Sequence, residues 1–135
     1  MRRKEENMTK NPLILVYNFK PDERTRLIRR YLNKEKISFR MVEVPEFWQP
    51  LGYLAGLSGF QKDTSFHLGG NFFEEMLVMC GLSPDQSDRF LRFFREEGLA
   101  PVALKAMLTP VNQHWNSLKL YEELKREHQE MQKLS

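Results

Sequence analysis

The chain has 135 residues and a formal net charge of +3, and 41% of its residues are hydrophobic. This length and composition suit one packed domain, and no apolar run approaches the roughly 20 residues that a membrane-spanning helix needs. The first ten residues hold four basic and two acidic side chains, which leaves a net charge of +1 for the rest of the chain. Such a small surplus argues against a nucleic-acid-binding surface.

Residues 1–11 are highly charged and lack apolar periodicity, so we predict a disordered N-terminal tail, followed by a single domain over residues 12–135. The same segment lacks the apolar core of a secretory signal peptide. Cys80 is the single cysteine, which excludes an internal disulfide and indicates a reducing compartment. We therefore predict a cytoplasmic protein.

Four apolar runs in chain order predict four strands: LILVYNF (13–19), FRMVEV (39–44), MLVMCGL (76–82) and VALKAML (102–108). Helical spacing of Leu27, Ile28 and Leu32 predicts a helix after the first strand. Ser83 as N-cap and Pro84 as the first helical residue predict another helix after the third strand, and Gly98 predicts its end. Two further helices are expected over 46–57 and 112–132.

The two halves of the sequence resemble each other. Asn18 to Asp22 precede Gly81 to Asp85 by 63 positions, and an apolar stripe beginning at Trp48 recurs 67 positions later, beginning at Trp115. We therefore predict two repeats, over residues 13–58 and 76–125, joined by a loop over residues 59–75.

This organisation predicts the α+β class, with a ferredoxin-like tandem βαβ sandwich that has a four-stranded sheet and additional helices covering an end or the other face. The alternative is a small three-layer α/β arrangement, because residues 45–75 are long enough for a helical crossover.

The strings QPLGYLAGL, MLVMCGLS and LKAMLTPVNQHWNSLKLYEELKREH resemble a bacterial family of small domains of unknown function. The resemblance runs from Leu13 to His128. It implies two strand–helix–strand halves and a C-terminal signature of Thr-Pro, Asn and Trp before an amphipathic helix. Family members often have hydroxyl residues where this chain has Val111 and Asn116. The resemblance implies no reaction.

One group of polar side chains is a candidate ligand site. In the ferredoxin-like arrangement the third and fourth strands end at the same edge, which would bring together Ser83, Thr109, Asn112, His114 and Trp115. The structural interpretation of the same residues is that Pro110 ends the strand, Asn112 or Asn116 caps the last helix, and Trp115 packs in the core.

Other chemistry finds little support in the sequence. His67, His114 and His128 lack metal-ligand spacing, Cys80 alternates with apolar residues on a strand, and no glycine-rich phosphate motif is present. We expect no metal, no cofactor and no catalysis. The sequence favours a domain that acts through protein association, as a homodimer or with another protein, without nucleic acid or membrane. The alternative is a small-ligand or anion-binding regulatory domain.

Overall fold

A computed structural model describes residues 11–134, so most of the predicted N-terminal tail lies outside the described residues. Within these residues, four strands and four α-helices follow one another: β1 (Leu13–Tyr17), α1 (Glu23–Lys34), β2 (Ser38–Met41), α2 (Leu51–Leu54), β3 (Met76–Cys80), α3 (Pro84–Glu96), β4 (Leu104–Met107) and α4 (Ser117–Leu134). Short 3-10 helices at Val44–Glu46 and Asn112–His114 precede α2 and α4.

The strands form one mixed sheet with the order β2-β1-β3-β4. β1 is parallel to β2, β3 is parallel to β4, and the central pair β1–β3 is antiparallel. The predicted α+β class with a four-stranded sheet is confirmed. The ferredoxin-like strand order is not found. That order separates the two strands of each βαβ unit by a third strand, whereas here the two strands of each unit are direct neighbours.

The sheet has a core on each face because successive strand side chains point to opposite sides. On one face Ile14, Val16 and Met79 pack against α1 and α3. On the other face Tyr17 and Val78 belong to a second core, which also takes residues from α2 and α4. The additional helices therefore cover the other face of the sheet, and the packing has three layers.

The α3 helix begins and ends as the sequence predicts. Ser83 Oγ accepts a hydrogen bond from the Gln86 N–H at 3.1 Å, and Gln86 Oε1 accepts one from the Ser83 N–H at 2.8 Å. Such a reciprocal cap satisfies two backbone donors that the first turn leaves without partners. Gly98 follows α3 with a φ of 66°, which confirms the predicted helix end.

The predicted helix over 46–57 is wrong in its extent, since only Leu51–Leu54 is α-helical there. Pro50 has extended backbone (ψ 143°), and a proline disfavours helical geometry in the residue before it. The chain likewise extends at Trp115 before α4 begins. The Leu51 N–H donates to the Trp115 carbonyl at 2.8 Å, and the Ser117 N–H donates to the Phe47 carbonyl at 3.1 Å. The hydrogen bonds at these two extended positions thus connect the two halves of the chain.

Among the described residues, no helix is both long enough and apolar enough to cross a bilayer.

Candidate binding site on the 59–75 segment

The polar edge that the sequence singled out lies where β3 and β4 end. The two strands are parallel, so the chain leaves both at the same edge of the sheet. Asn112 is buried there and closes a tight turn. Its Oδ1 accepts from the Thr109 N–H at 2.8 Å, its N–H donates to Thr109 Oγ1 at 3.0 Å, and its Nδ2 donates to the Met107 carbonyl at 3.0 Å. Both ends of the Asn112 side-chain amide therefore bond within the turn.

The other three predicted site residues have different surroundings. Ser83 Oγ serves the cap of α3, as described above. Trp115 packs against the second core, and the Lys119 ammonium lies 5.4 Å from the centre of its ring. His114 is exposed, with its ring centre 5.3 Å from that of Phe60. The structure thus brings Thr109 and Asn112 together in one turn that His114 and Trp115 follow, while Ser83 is engaged with its own helix.

A second cluster of polar and aromatic side chains forms between the 59–75 segment, which connects the two halves, and Trp48 and Gln49. The ring of His67 stacks on that of Trp48, with centroids 4.3 Å apart and planes 6° apart. His67 Nε2 lies 2.9 Å from Asp63 Oδ2. Hydrogen bonds from Ser65, together with the contact to His67, lower the pKa of Asp63 to about 2. Asp63 is therefore ionised near neutral pH.

Hydrogen bonds between the Trp48 and Gln49 side chains and backbone groups of the segment connect this cluster to the rest of the domain. Gln49 Nε2 donates to the Asp63 carbonyl at 2.9 Å, and the Asp63 N–H donates to Gln49 Oε1 at 2.7 Å. Trp48 Nε1 donates to the Gly69 carbonyl at 3.1 Å. A Cβ at position 70 would lie 2.8 Å from the Trp48 ring, and Gly70 has a φ of 88°, so glycine is required at this approach.

These residues border an open cavity of about 490 Å³, whose lining includes Val44, Trp48, Asp63, Phe66 and His67. The volume falls in the range of small-molecule sites, roughly 300–1,000 Å³. However, the polar groups of Asp63 and Gln49 are already engaged with each other and with neighbouring backbone groups. The cavity has an aromatic wall and few polar groups left to orient a ligand.

The C-terminal end of the segment is anchored by Phe72, which is 3% exposed. Its ring stacks on those of Phe47 and Tyr121, at centroid distances of 4.8 and 4.3 Å. Asn18 Nδ2 donates to the Phe72 carbonyl at 2.9 Å and to the Glu74 carbonyl at 3.0 Å. The segment is thus tied to the domain at Asp63, Gly69 and Phe72.

Between and beside these anchors the segment exposes three large apolar side chains. Phe66 is 86% exposed, Leu68 81% and Phe73 84%. Single exposed apolar residues are common on proteins, but three within eight residues of one anchored segment form an unusual concentration. We call these three residues the apolar triplet.

Burial raises the pKa of two reactive side chains in the second core, Cys80 and Tyr17. Burial raises the pKa of Cys80 to about 12, so its thiol is protonated near neutral pH and is a poor nucleophile. Burial also raises the pKa of Tyr17, whose hydroxyl lies 2.7 Å from Ser117 Oγ. Within residues 11–134, no group of three or more His, Cys, Asp or Glu side chains is placed to bind a metal ion.

Sequence reasoning considered His67 only as a metal ligand and Trp48 only as a packing residue, and it did not connect them. Asp63 and His67 are four residues apart, but in a segment without helical periodicity this spacing carries little information. The segment also contains Phe60 and Phe72, so its sequence alone does not distinguish the apolar triplet from its other large apolar residues.

Comparison with known protein families gives a match over part of the chain. A family model described as a domain of unknown function (DUF3783) matches residues 75–131, which span β3 to most of α4. That description assigns no activity, and the apolar triplet lies outside the matched residues. No curated protein and no solved structure gives a significant match.

Proposed function

We propose that this chain is a non-catalytic binding module that associates with a protein, either a second copy or another chain, through the apolar triplet of the 59–75 segment. The observation that carries the proposal is the exposure of Phe66, Leu68 and Phe73, each above 80%, on a segment held in place by buried contacts. Burying such side chains at an interface gives roughly 1.5–3 kcal/mol for each residue.

The anchoring of the segment matters as much as its apolar surface. A flexible loop loses conformational freedom when it binds, at a cost of roughly 0.5–1.5 kcal/mol for each ordered side chain with many rotamers. Here Phe72 is already buried, and the Trp48–His67 stack fixes the backbone near Phe66 and Leu68. Phenylalanine also adds little rotamer entropy to that cost. The segment is therefore preorganised for binding.

The test is native mass spectrometry of the protein purified gently from its own cells. We expect an assembly heavier than the 16.1 kDa chain, at twice that mass if the partner is a second copy. The triple variant Phe66→Ser, Leu68→Ser and Phe73→Ser should lose this assembly. The control Val111→Ser alters another exposed apolar residue (66% exposed) and should retain it.

Two results would contradict the proposal. A wild-type protein that is a bare monomer at every concentration would argue against association. An assembly that persists in the triple variant would place the interface elsewhere. Circular dichroism of the variant should match the wild type, because none of the three side chains belongs to either core.

The alternative function is binding of a small ligand or anion, with Ser83, Thr109, Asn112, His114 and Trp115 as the proposed site. A ligand at this edge would have to share the Asn112 side-chain amide with the Thr109 N–H and the Met107 carbonyl, to which that amide is already bonded. The cavity beside Trp48 and His67 supports ligand binding better, because its volume is adequate and its walls are aromatic. Extra small-molecule mass on the native protein, lost in Trp48→Ala and retained in His114→Ala, would favour the cavity.

We also propose a cytoplasmic location for this module. The basis is the lone, buried Cys80, since proteins of oxidising compartments commonly use cysteines in pairs.

A further inference from the structure

The edge strand β2 carries features of a second, separate binding surface. The Ser38 N–H donates to the carbonyl of Pro12, just before β1, at 3.0 Å, and the Val42 N–H donates to the Val16 carbonyl of β1 at 2.9 Å. Because alternate residues of a strand point their backbone groups to opposite sides, the N–H and C=O of Phe39 and Met41 point away from β1. Within the described residues no strand pairs with this side of β2.

Arginines of α1 lie beside this open edge. A cavity of about 540 Å³ is lined by Arg26, Arg29, Arg30, Asn33, Ser38 and Phe39, together with Ile37, and its lining contains no carboxylate. The Arg29 guanidinium lies 4.7 Å from the centre of the Phe39 ring. Arg26 pairs with Glu23, whereas Arg29 and Arg30 have no ion pair within residues 11–134. The edge is therefore both unpaired and positively charged.

We propose that the open edge of β2 and the arginines of α1 bind an extended acidic peptide segment of a partner protein, which would pair with β2 as a fifth strand. Strand addition uses the outward backbone groups of Phe39 and Met41 for affinity, and side-chain recognition gives specificity. Arginine suits this role because its planar guanidinium matches a carboxylate with two parallel hydrogen bonds.

The spacing of the two elements fits an alternating acidic sequence. Carboxylates at every second residue of a strand recur about every 6.7 Å on one face. Arg26 and Arg30 are four residues apart on α1, which corresponds to a rise of about 6 Å along the helix axis. A peptide carboxylate at Arg26 would share that guanidinium with Glu23. The side chains of Phe39 and Met41 pack on the α1 side of the sheet, so every second side chain of an added strand would face that helix.

Charge and backbone geometry favour an acidic peptide over two other binding partners, a second copy of this chain and a nucleic acid. A second copy could offer its own β2 edge, but its arginines would then repel those of the first. It could also offer β4, but that edge bears Lys105 and its outward Met107 carbonyl already accepts from Asn112 Nδ2. A nucleic acid would satisfy the arginines, yet it has no N–H and C=O ladder for Phe39 and Met41.

The test is fluorescence anisotropy with the full chain and a labelled eight-residue peptide that alternates glutamate with valine. The double variant Arg29→Glu and Arg30→Glu should weaken binding by at least about tenfold, because like charges would then face each other. The control Arg95→Glu and Lys133→Glu makes the same change in net charge at exposed positions outside the β2 cavity. It should bind within about twofold of the wild type.

Backbone pairing is tested by methylating the peptide nitrogens of either alternate set of residues. We expect one methylated peptide to lose binding and the other to retain it, since only one set faces β2. Equal binding of both methylated peptides would overturn the proposal in favour of plain polyanion attraction. So would an oligouridylate of equal charge that displaces the peptide as well as unlabelled peptide does.

Discussion

Phe72→Ala tests the anchoring of the 59–75 segment most simply. The Phe72 ring is 3% exposed and stacks on Phe47 and Tyr121. Removing a buried phenylalanine side chain costs about 3–5 kcal/mol of unfolding free energy, from lost apolar burial and the cavity left behind. For 135 residues, an unfolding entropy of about 0.28 kcal/mol per kelvin converts this loss to a Tm decrease of about 11–18 °C.

The neighbouring residue provides a matched control, because Phe73 is the same amino acid and is 84% exposed. Phe73→Ala should change the unfolding free energy by no more than about 0.5 kcal/mol. The assay is urea unfolding followed by circular dichroism, with calorimetry for the Tm. Equal effects of the two substitutions, or a Phe72→Ala loss below about 1 kcal/mol, would refute the reasoning that Phe72 anchors the segment.

Three further predictions concern single side chains. Asn112→Ala should lower the unfolding free energy by about 1–3 kcal/mol, since the Met107 carbonyl and the Thr109 N–H lose their partner. Asn116 Oδ1 caps α4 by accepting from the Lys119 N–H at 2.8 Å, and Asn116→Ala should cost about 1 kcal/mol. A loss in Asn112→Ala no larger than that of Asn116→Ala, in the same urea assay, would contradict the prediction. The pKa of Asp63 is lowered from 3.8 to about 2, so its ionised form stabilises the fold above pH 3.8 and this contribution is lost as the pH falls through about 2. The stability difference between wild type and Asp63→Asn should therefore stay constant above about pH 4 and shrink below it; a difference independent of pH would contradict the Asp63 contacts. Burial raises the pKa of Cys80 to about 12, so the thiol is protonated in the native chain at pH 8. Iodoacetamide should therefore alkylate the unfolded chain but not the native chain at this pH, and mass spectrometry measures the difference.

The sequence predicted local features of the fold well and its long-range arrangement poorly. The Ser83 cap and the Gly98 end of α3 depend on a few neighbouring residues, and both were found. The strand order depends on which edge of β1 pairs with β2 and which with β3. Runs such as LILVY are apolar throughout because β1 is buried on both faces, so they carry no information about that choice.

The candidate site could be predicted only in part for a similar reason. The stack of Trp48 and His67 joins residues 19 positions apart across an irregular segment, and no periodicity indicates such a contact. The edge cluster was predicted because β3 and β4 were expected to end at the same edge of the sheet, and the two parallel strands do end there, although as direct neighbours rather than separated by a third strand. What the sequence could not indicate is that both ends of the Asn112 amide bond within its own turn.

The most direct test of association through the apolar triplet is site-specific photo-cross-linking in the native cells, with a photoreactive phenylalanine analogue at position 66. We expect a discrete adduct, at twice 16.1 kDa if the partner is a second copy, and none from the same analogue at the control position, Val111. No adduct at position 66, or the same adducts from both positions, would contradict the proposed interface.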